Sequence, residues 1–460
     1  MLKMKSFWLG VAVVLGLAGC SSAPTAPASA TSAPAASGYL LTNVNVVPVL
    51  ERPTGELPIA RNMQVLVQGD RIVTVAGKIT PPPGVQTING KGAYLLPGFA
   101  EMHGHVPPAT SFEGIPSRYL DDVLKLYVAA GVTTVRGMLG HPHQLQLKTD
   151  IAEGKRIGPT LFLAGPSFSG GSVQSVAQAL QRVRDQHAGG WDLIKIHPGL
   201  SLEEYLAIAD LANSLEFDFG GHVPSDVGLG QALQAGQRSI DHLDGYLEYL
   251  NAVNTPITET QLDQAVKLSL EHQVGVVPTQ ALWRTLIGAA DADAMRAYPE
   301  LALVPTAVRE RWLGFLANPD TPYRNSQAAA QQSRNRDRLL RALYEGGVPV
   351  WFGTDAPQLF SVPGFSIAHE ISAMQEAGFS NSDIIYTATR AVGDYFAETD
   401  EFGSIAPGQR ADFIVMQGNP LEDLSGITQA NGVMLRGTWY SRAELDALLA
   451  DIRAAYSAAD

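Results

Sequence analysis

From residue 99 to residue 354, short β-prone runs alternate with helical patterns eight times over. The first run ends at His105; the others cover 132–137, 160–164, 192–196, 218–223, 238–243, 275–279 and 348–354. Helix-like spacings fill the gaps at 120–130, 145–153, 172–187, 229–235 and 258–272. Ser201 with Glu204 three residues on opens a further helix as a capping box. Strands separated by helices pair in parallel, because each helix carries the chain back across the sheet face. Eight such units predict an α/β fold, the closed (β/α)8 TIM barrel, with an open doubly wound sheet as the alternative.

The two ends of the chain read differently. Runs at 39–50, 63–68, 71–75, 85–88 and 93–96 are β-prone, and Gly69-Asp70 between two of them marks a hairpin. The runs at 411–416, 432–436 and 438–440 have no helices between them. The predicted layout is a small β-sandwich domain of 39–97 plus 402–440, a barrel domain of 98–401 and a terminal helix over 441–460. A helical insertion at 281–347 carries Trp283, Trp312, Phe315 and Tyr323. Its place after a barrel strand puts it over the active-site face, as a lid, a pocket wall or plain packing.

The start of the chain is a targeting signal. Lys3 and Lys5 precede an apolar stretch at 7–18, short of the ~20 residues that a spanning helix needs. It ends in Leu17-Ala18-Gly19-Cys20, which resembles a bacterial lipobox, and Cys20 is the only cysteine. Residues 1–19 are then a lipoprotein signal peptide, Cys20 carries lipid, and the Ser/Ala/Pro-rich 20–38 is a tether too poor in large apolar residues to order itself. Ser21 in place of an aspartate suggests export to the outer membrane, facing periplasm or cell surface. A lipidated Cys20 leaves no thiol for a disulfide, a nucleophile or a metal. The net charge of −13 becomes −13 − 2 = −15 without Lys3 and Lys5, and a basic footprint for nucleic acid is absent. The membrane is a partner only through the anchor, and a homo-oligomer stays open.

Barrel enzymes draw their chemistry from the C-terminal ends of several strands. Here those ends carry His103-Gly104-His105, Lys195-Ile196-His197, His222, Asp241-His242 and Asp355. Side chains two apart on a strand point the same way, so His103 and His105 offer two imidazoles to one point. Lys195 in the apolar run Leu193-Ile194-Lys195-Ile196 is anomalous, since a buried ammonium is costly. His197 faces the same way as Lys195, toward substrate or in a structural role. Arg136, ending the second run, pairs with a substrate carboxylate or with Asp241. Tyr246 is a candidate hydrogen-bond donor to the substrate carbonyl. His141-Pro142-His143 is a second such pair, but it lacks carboxylate or lysine companions and its proline-broken context reads as a loop. His187 and His272 fall in helices, and His369 follows the last run, near the pocket rim.

On the motifs Pro97-Gly98-Phe99 leading into His103-x-His105, Ile-Lys195-Ile, His222, His242, Gly353-Thr354-Asp355-Ala356 and Ala411-Asp412-Phe413-Ile414-Val415, the chain resembles the amidohydrolase superfamily. It is most similar to the branch of imidazolonepropionase-like proteins and prolidase-like dipeptidases. The resemblance implies two divalent metal ions, zinc by preference. His103, His105 and Asp355 would hold the first, and His222 and His242 the second. Lys195, carboxylated by carbon dioxide, would bridge them together with a hydroxide. It also implies a hydrolase of amide bonds in small molecules such as N-acyl amino acids, dipeptides or cyclic amides. The chemistry agrees: zinc accepts imidazole and carboxylate, and a carbamate gives Lys195 an anionic oxygen. Two ions sharing a water lower its pKa, and Asp355 can take the proton and return it to the leaving amine. A deaminase or a lactone or phosphoester hydrolase uses the same scaffold, though the deaminase branch does without a bridging lysine. A surface-anchored binder without turnover is the non-enzyme alternative, against which the full ligand set with Asp355 argues.

Overall fold

The β-prone runs become short strands, most of them buried on both faces. A computed structural model of the chain describes residues 38–108, 114–318, 320, 323, 324 and 327–457. The expected signal segment, Cys20 and nearly all of the tether lie outside the described residues. Among the described residues, no helix is long and apolar enough to cross a membrane.

The described chain opens with β1 (Gly38–Val46), β2 (Ala60–Gln68), β3 (Arg71–Ala76), β4 (Val85–Asn89) and β5 (Tyr94–Pro97). β2 and β3 form the antiparallel hairpin at Gly69-Asp70, where Gly69 has φ 59°, a left-handed conformation that glycine adopts readily. Seven strands follow at the heart of the chain: β6 (Phe99–Gly104), β7 (Val132–Gly137), β8 (Thr160–Leu163), β9 (Ile194–Ile196), β10 (Phe219–Gly221), β11 (Ser239–Asp241) and β12 (Gly275–Val277). The last three are β13 (Phe413–Met416), β14 (Gly432–Leu435) and β15 (Thr438–Ser441).

Strands from both ends of the chain join in one eight-stranded sheet, ordered β15-β14-β13-β5-β1-β2-β3 with β4 added to β1. The expected two-layered sandwich is thus one continuous hydrogen-bonded sheet. The reason lies in β1, which shifts register between Leu41 and Val44 with Asn43 at φ 54°. The irregularity bends the strand, so that one edge of β1 serves β4 over residues 38–42 and β5 at Asn45 and Val46. Leu41, Val44, Val65, Val67, Leu95 and Phe413 form the apolar core of this sheet.

The central strands form two parallel ladders, β6-β7-β8 and β9-β10-β11-β12. Gly165 N–H donates to Leu193 O at 3.1 Å and Ala164 bridges Leu193, so β8 is joined to β9. On the other side the segment 349–355 lies between β12 and β6. Trp351 N–H donates to Val276 O at 2.9 Å, Met102 N–H to Phe352 O at 2.9 Å, and Asp355 N–H to His103 O at 2.8 Å. This eighth run makes a single bridge instead of a ladder, because its bonds are divided among β12, β6 and Thr387, whose carbonyl accepts from Phe352 N–H. The result is a TIM-barrel-like α/β fold. Every residue of β6 and β7 is buried, as expected of parallel strands covered by helices on one side and packed side chains on the other.

The helices between strands follow the sequence pattern. Ser201 caps Leu202–Ser214 with the expected box: its hydroxyl accepts from Glu204 N–H, and Glu204 accepts from Ser201 N–H at 3.0 Å. The insertion after β12 folds into Gln280–Ile287, Ala292–Arg296, Thr306–Ala317 and Ala329–Glu345. His143, expected in a loop, begins the helix His143–Ala152.

Candidate metal centre

The C-terminal ends of β6, β9, β10, β11 and the 349–355 segment converge on a cavity of about 560 Å³. His103, His105, His222, His242 and Asp355 all line it, and Lys195 stands buried behind His103. The placement follows from strand geometry. β6 carries His103, and His105 follows directly after its last residue, so both histidines reach the cavity.

His105 Nε2 lies 2.6 Å from Asp355 Oδ1, and His103 Nε2 lies 3.6 Å from the same oxygen. One ligand atom from each of these three residues falls within 4.8 Å of the others. His242 Nε2 lies 3.6 Å from Asp355 Oδ2, and its ring stands 4.5 Å from that of His103 and 4.6 Å from that of His222. Lys195 Nζ is 3.2 Å from His103 Nε2 and 3.8 Å from Asp241 Oδ2. Four imidazoles, one amine and the carboxylates of Asp355 and Asp241 thus occupy one small volume.

Electrostatics suit these groups to ligation. Burial holds His103 and His242 well below the usual imidazole range, so both keep a lone pair. Burial also lowers Lys195, although Asp241 and Asp355 pull the other way. Burial would push Asp241 up, but Arg136, Lys195 and His242 outweigh it and hold the carboxyl low. Neutral imidazoles and carboxylate oxygen at this spacing form the donor set that zinc and similar divalent ions accept. The described residues therefore fit a divalent metal.

A second layer holds the donors in place. Asp241 Oδ2 lies 2.8 Å from His103 Nδ1, a close contact without hydrogen-bond alignment. Asp244 takes His222 Nδ1 at 2.7 Å, and Thr279 Oγ1 takes His242 Nδ1 at 2.7 Å. Such partners fix which ring nitrogen is offered inward. The backbone is held in unfavourable conformations here: His242, Thr279 and Asp355 have φ of 64°, 44° and 62°. Non-glycine residues in that region cost on the order of 1 kcal/mol each and cluster where function demands a fixed side chain. Gly221, at φ 123°, is needed for another reason. A Cβ there would stand 2.5 Å from Ile196 O and 2.8 Å from Lys195 Cδ, closing the space the lysine occupies.

Of the two partners considered for Arg136, the structure takes Asp241, and the expected substrate contact Tyr246 is placed elsewhere. Arg136 is completely buried beneath the site: Nε donates to Met102 O at 2.6 Å, Nη1 to Ser239 Oγ at 3.1 Å, and Nη2 to both Asp241 oxygens at 3.1 and 3.3 Å. Its complete burial keeps it from the cavity. Tyr246 is also completely buried, with its hydroxyl 2.6 Å from Ser269 Oγ and away from the cavity wall. His197 does line the cavity, stacked 5.3 Å from His222, and burial drives it down to about 2, so it is a neutral wall. His141 also lines the cavity. His369 is stacked 4.0 Å from Tyr298 and held by Glu300 at 2.5 Å.

Two supporting groups were not foreseen. Glu101 accepts from His103 N–H at 3.0 Å, Thr354 N–H at 2.8 Å and Thr354 Oγ1–H at 2.6 Å, tying β6 to the segment that carries Asp355. Its burial raises it to about 8. Its alternation with His103 and His105 along an apolar strand was a readable signal. Arg336 donates Nη1 to His242 O at 2.7 Å and lies 4.8 Å over the Trp283 ring. Its helix, rich in polar residues, carries no local sign of that role.

Comparison with known proteins agrees with this geometry. Residues 94–440 match the amidohydrolase family. The chain belongs to that family. It is accordingly a hydrolase acting on carbon–nitrogen bonds. A stretch of 60 residues is 35% identical to the imidazolonepropionase of Kosmotoga olearia, covering 13% of this chain and 14% of that protein. The fold is similar to the solved bottromycin amidohydrolase, with TM-score 0.70 and 22% identity over 91% of this chain and 90% of that one. It is also similar to a Xaa-Pro dipeptidase solved with methionine in its active site, with TM-score 0.65 and 21% identity over 88% and 100% of the two chains. Ochratoxinase of A. niger gives TM-score 0.64 and 16% identity over 88% and 96%. At these identities the structural likeness speaks for the fold.

Proposed function

We propose that this amidohydrolase family member hydrolyses amide bonds in small molecules at a two-metal centre inside a closed (β/α)8 barrel. One observation carries the reading: His103, His105, His222, His242 and Asp355 line one end of a cavity, and Lys195 stands buried 3.2 Å behind His103 Nε2. His103, His105 and Asp355 would hold one ion, His222 and His242 the second, and Lys195 as its carbamate would join the two. Imidazole and carboxylate donors favour zinc. Bound ions of this kind supply Lewis acidity, lowering the pKa of a water and polarising a carbonyl.

The chain's own residues do the rest. Burial shifts Lys195 toward the neutral amine, the form that adds to carbon dioxide, and the proton released leaves a carbamate whose negative charge suits a site for cations. Asp355, held between His105 and His242, is placed to accept a proton from the attacking water and pass it to the leaving nitrogen. Asp241 and Arg136 hold the His103 side of the site, and Arg336 holds His242 and Trp283. Trp283 and Trp312 from the insertion form part of the substrate wall. The enzyme is exported and anchored by lipid on Cys20, at the outer membrane where the cell has one.

The test is a panel of amides assayed on the full chain before and after chelation. Turnover that disappears with the metal and returns with added zinc supports the reading. Amide turnover that survives complete chelation contradicts it.

A further inference from the structure

We propose that Arg336 is a positioning residue for the second metal ion: reaching in from the insertion, it fixes both the backbone and the ring of His242. The inference rests on the two-metal reading above and deepens it. Arg336 is buried on the helix Ala329–Glu345. Nη1 donates to His242 O at 2.7 Å and Nη2 to Pro278 O at 3.2 Å, while Nε and Nη2 donate to Gln280 Oε1 at 3.1 and 2.8 Å. All of these acceptors are neutral oxygens. Asp337, the next residue, is engaged by Arg284 at 3.1 Å. A charge buried against neutral acceptors is costly, so its place calls for a reason other than ion pairing.

The reason lies in the two carbonyls, which belong to strained peptides. His242 and Leu243 have φ of 64° and 55°, and the His242 carbonyl is part of the peptide between them. Thr279 has φ of 44°, and the Pro278 carbonyl is part of the peptide that precedes it. Non-glycine residues in the left-handed region persist only where surrounding groups hold them. Thr279 Oγ1 in turn lies 2.7 Å from His242 Nδ1, the contact that decides which ring nitrogen faces the ion. One planar guanidinium therefore sets the ligand's own carbonyl and the residue that orients its ring. Gln280 holds that plane, accepting twice from Arg336 and donating Nε2 to Asp337 at 3.1 Å. The guanidinium also lies 4.8 Å over the Trp283 ring, which lines the cavity 5.9 Å from the His242 ring. The insertion is thereby part of the metal centre as well as of the substrate wall.

Zinc alone is the probe. Metal-free full chain is titrated with zinc against a chromophoric chelator, which gives an affinity for each ion, and thermal unfolding is followed separately. Arg336→Lys should weaken one of the two ions about tenfold, the lower end of the range for groups that orient a metal ligand. The other ion should stay within about twofold, because the bonds of Arg336 reach none of His103, His105 or Asp355. A lysine keeps the charge but not the fork that spans two carbonyls, so Arg336→Met should weaken the same ion at least as much. Arg284→Gln is the comparison. Arg284 joins the same helix to Glu376 at 2.6 Å and to Asp337, away from His242, so its loss should lower the unfolding midpoint and leave both affinities within about twofold. A purely structural Arg336 would behave like Arg284, and that result overturns the inference while the two-metal reading stands. Both ions weakened alike overturn it in the same way. If the Arg336 variants fail to fold, Gln280→Met decides: the same ion should weaken about threefold, the size of one lost hydrogen bond, and unchanged affinities overturn the inference. A wild-type chain that takes up fewer than two zinc ions overturns the two-metal reading and the inference with it.

Discussion

Asp241→Asn is the most informative single change at the support layer of the site. In the structure the Asp241 carboxylate neutralises Arg136, at 3.1 and 3.3 Å, and faces His103 Nδ1 at 2.8 Å and Lys195 Nζ at 3.8 Å. All four side chains are essentially inaccessible to solvent. An asparagine keeps the shape but removes the charge, and one of its two polar ends must offer N–H groups to a guanidinium that only donates. Removing one partner of a buried ion pair costs about 3–5 kcal/mol, because the other charge stays buried and uncompensated. Loss of a partner that orients a ligand histidine weakens metal by about 10- to 100-fold. Urea unfolding of the metal-free chain reads the first effect, and competition with a chromophoric chelator reads the second. Asp244→Asn is the comparison: its pair with His222 keeps side-chain exposures of 14% and 16% and involves no buried guanidinium, so its stability cost should be smaller than that of Asp241→Asn. If Asp241→Asn matches wild type in both unfolding midpoint and metal affinity, Arg136 and Asp241 do not support the site and the reasoning is refuted.

Other changes probe separate parts of the site. Lys195→Arg should lose metal and activity together, because guanidinium stays charged and cannot form a carbamate; two ions per chain with near-normal kcat would defeat the bridging role. Glu370, buried where it accepts from Gln280 and Ala281 N–H, is raised from 4.5 to about 7. Between those values the unfolded chain has lost the proton that the folded chain keeps, so stability should fall as pH rises from 4.5 to 7, by up to ~3 kcal/mol, and stay level below. Glu370→Gln should reduce this slope in thermal unfolding, with Glu101, raised to about 8, keeping a share of its own; an unchanged slope would assign it wholly to other groups. Cys20→Ala should remain unprocessed by lipoprotein signal peptidase, and normal processing would exclude the lipid anchor.

Much of the centre was legible because strand spacing is a rigid rule. His103 and His105 two apart, and single polar groups closing apolar runs at Lys195, His222, His242 and Asp355, identify one end of parallel strands without any knowledge of tertiary contacts. What strand position cannot specify is how deep a side chain sits. Arg136, near the end of β7, had either a substrate or Asp241 as partner and takes Asp241 beneath the site, while Tyr246, after β11, turns to Ser269. Arg336 was illegible for the opposite reason: it lies in a polar helix far along the insertion, and only folding brings it to the His242 carbonyl. The sheet at the chain ends was readable as β structure, but the bend at Asn43 that makes it one sheet depends on a single backbone conformation.

The most direct measurement is the metal content of the purified full chain by mass spectrometry, taken alongside amide hydrolysis as metal is titrated back into chelated protein. Two divalent ions per chain, with activity rising in step with their uptake, are expected from the cluster of four histidines, Lys195 and Asp355. A chain that hydrolyses its amide substrate at full rate with no bound ion, or whose activity saturates with one, would contradict a two-metal centre.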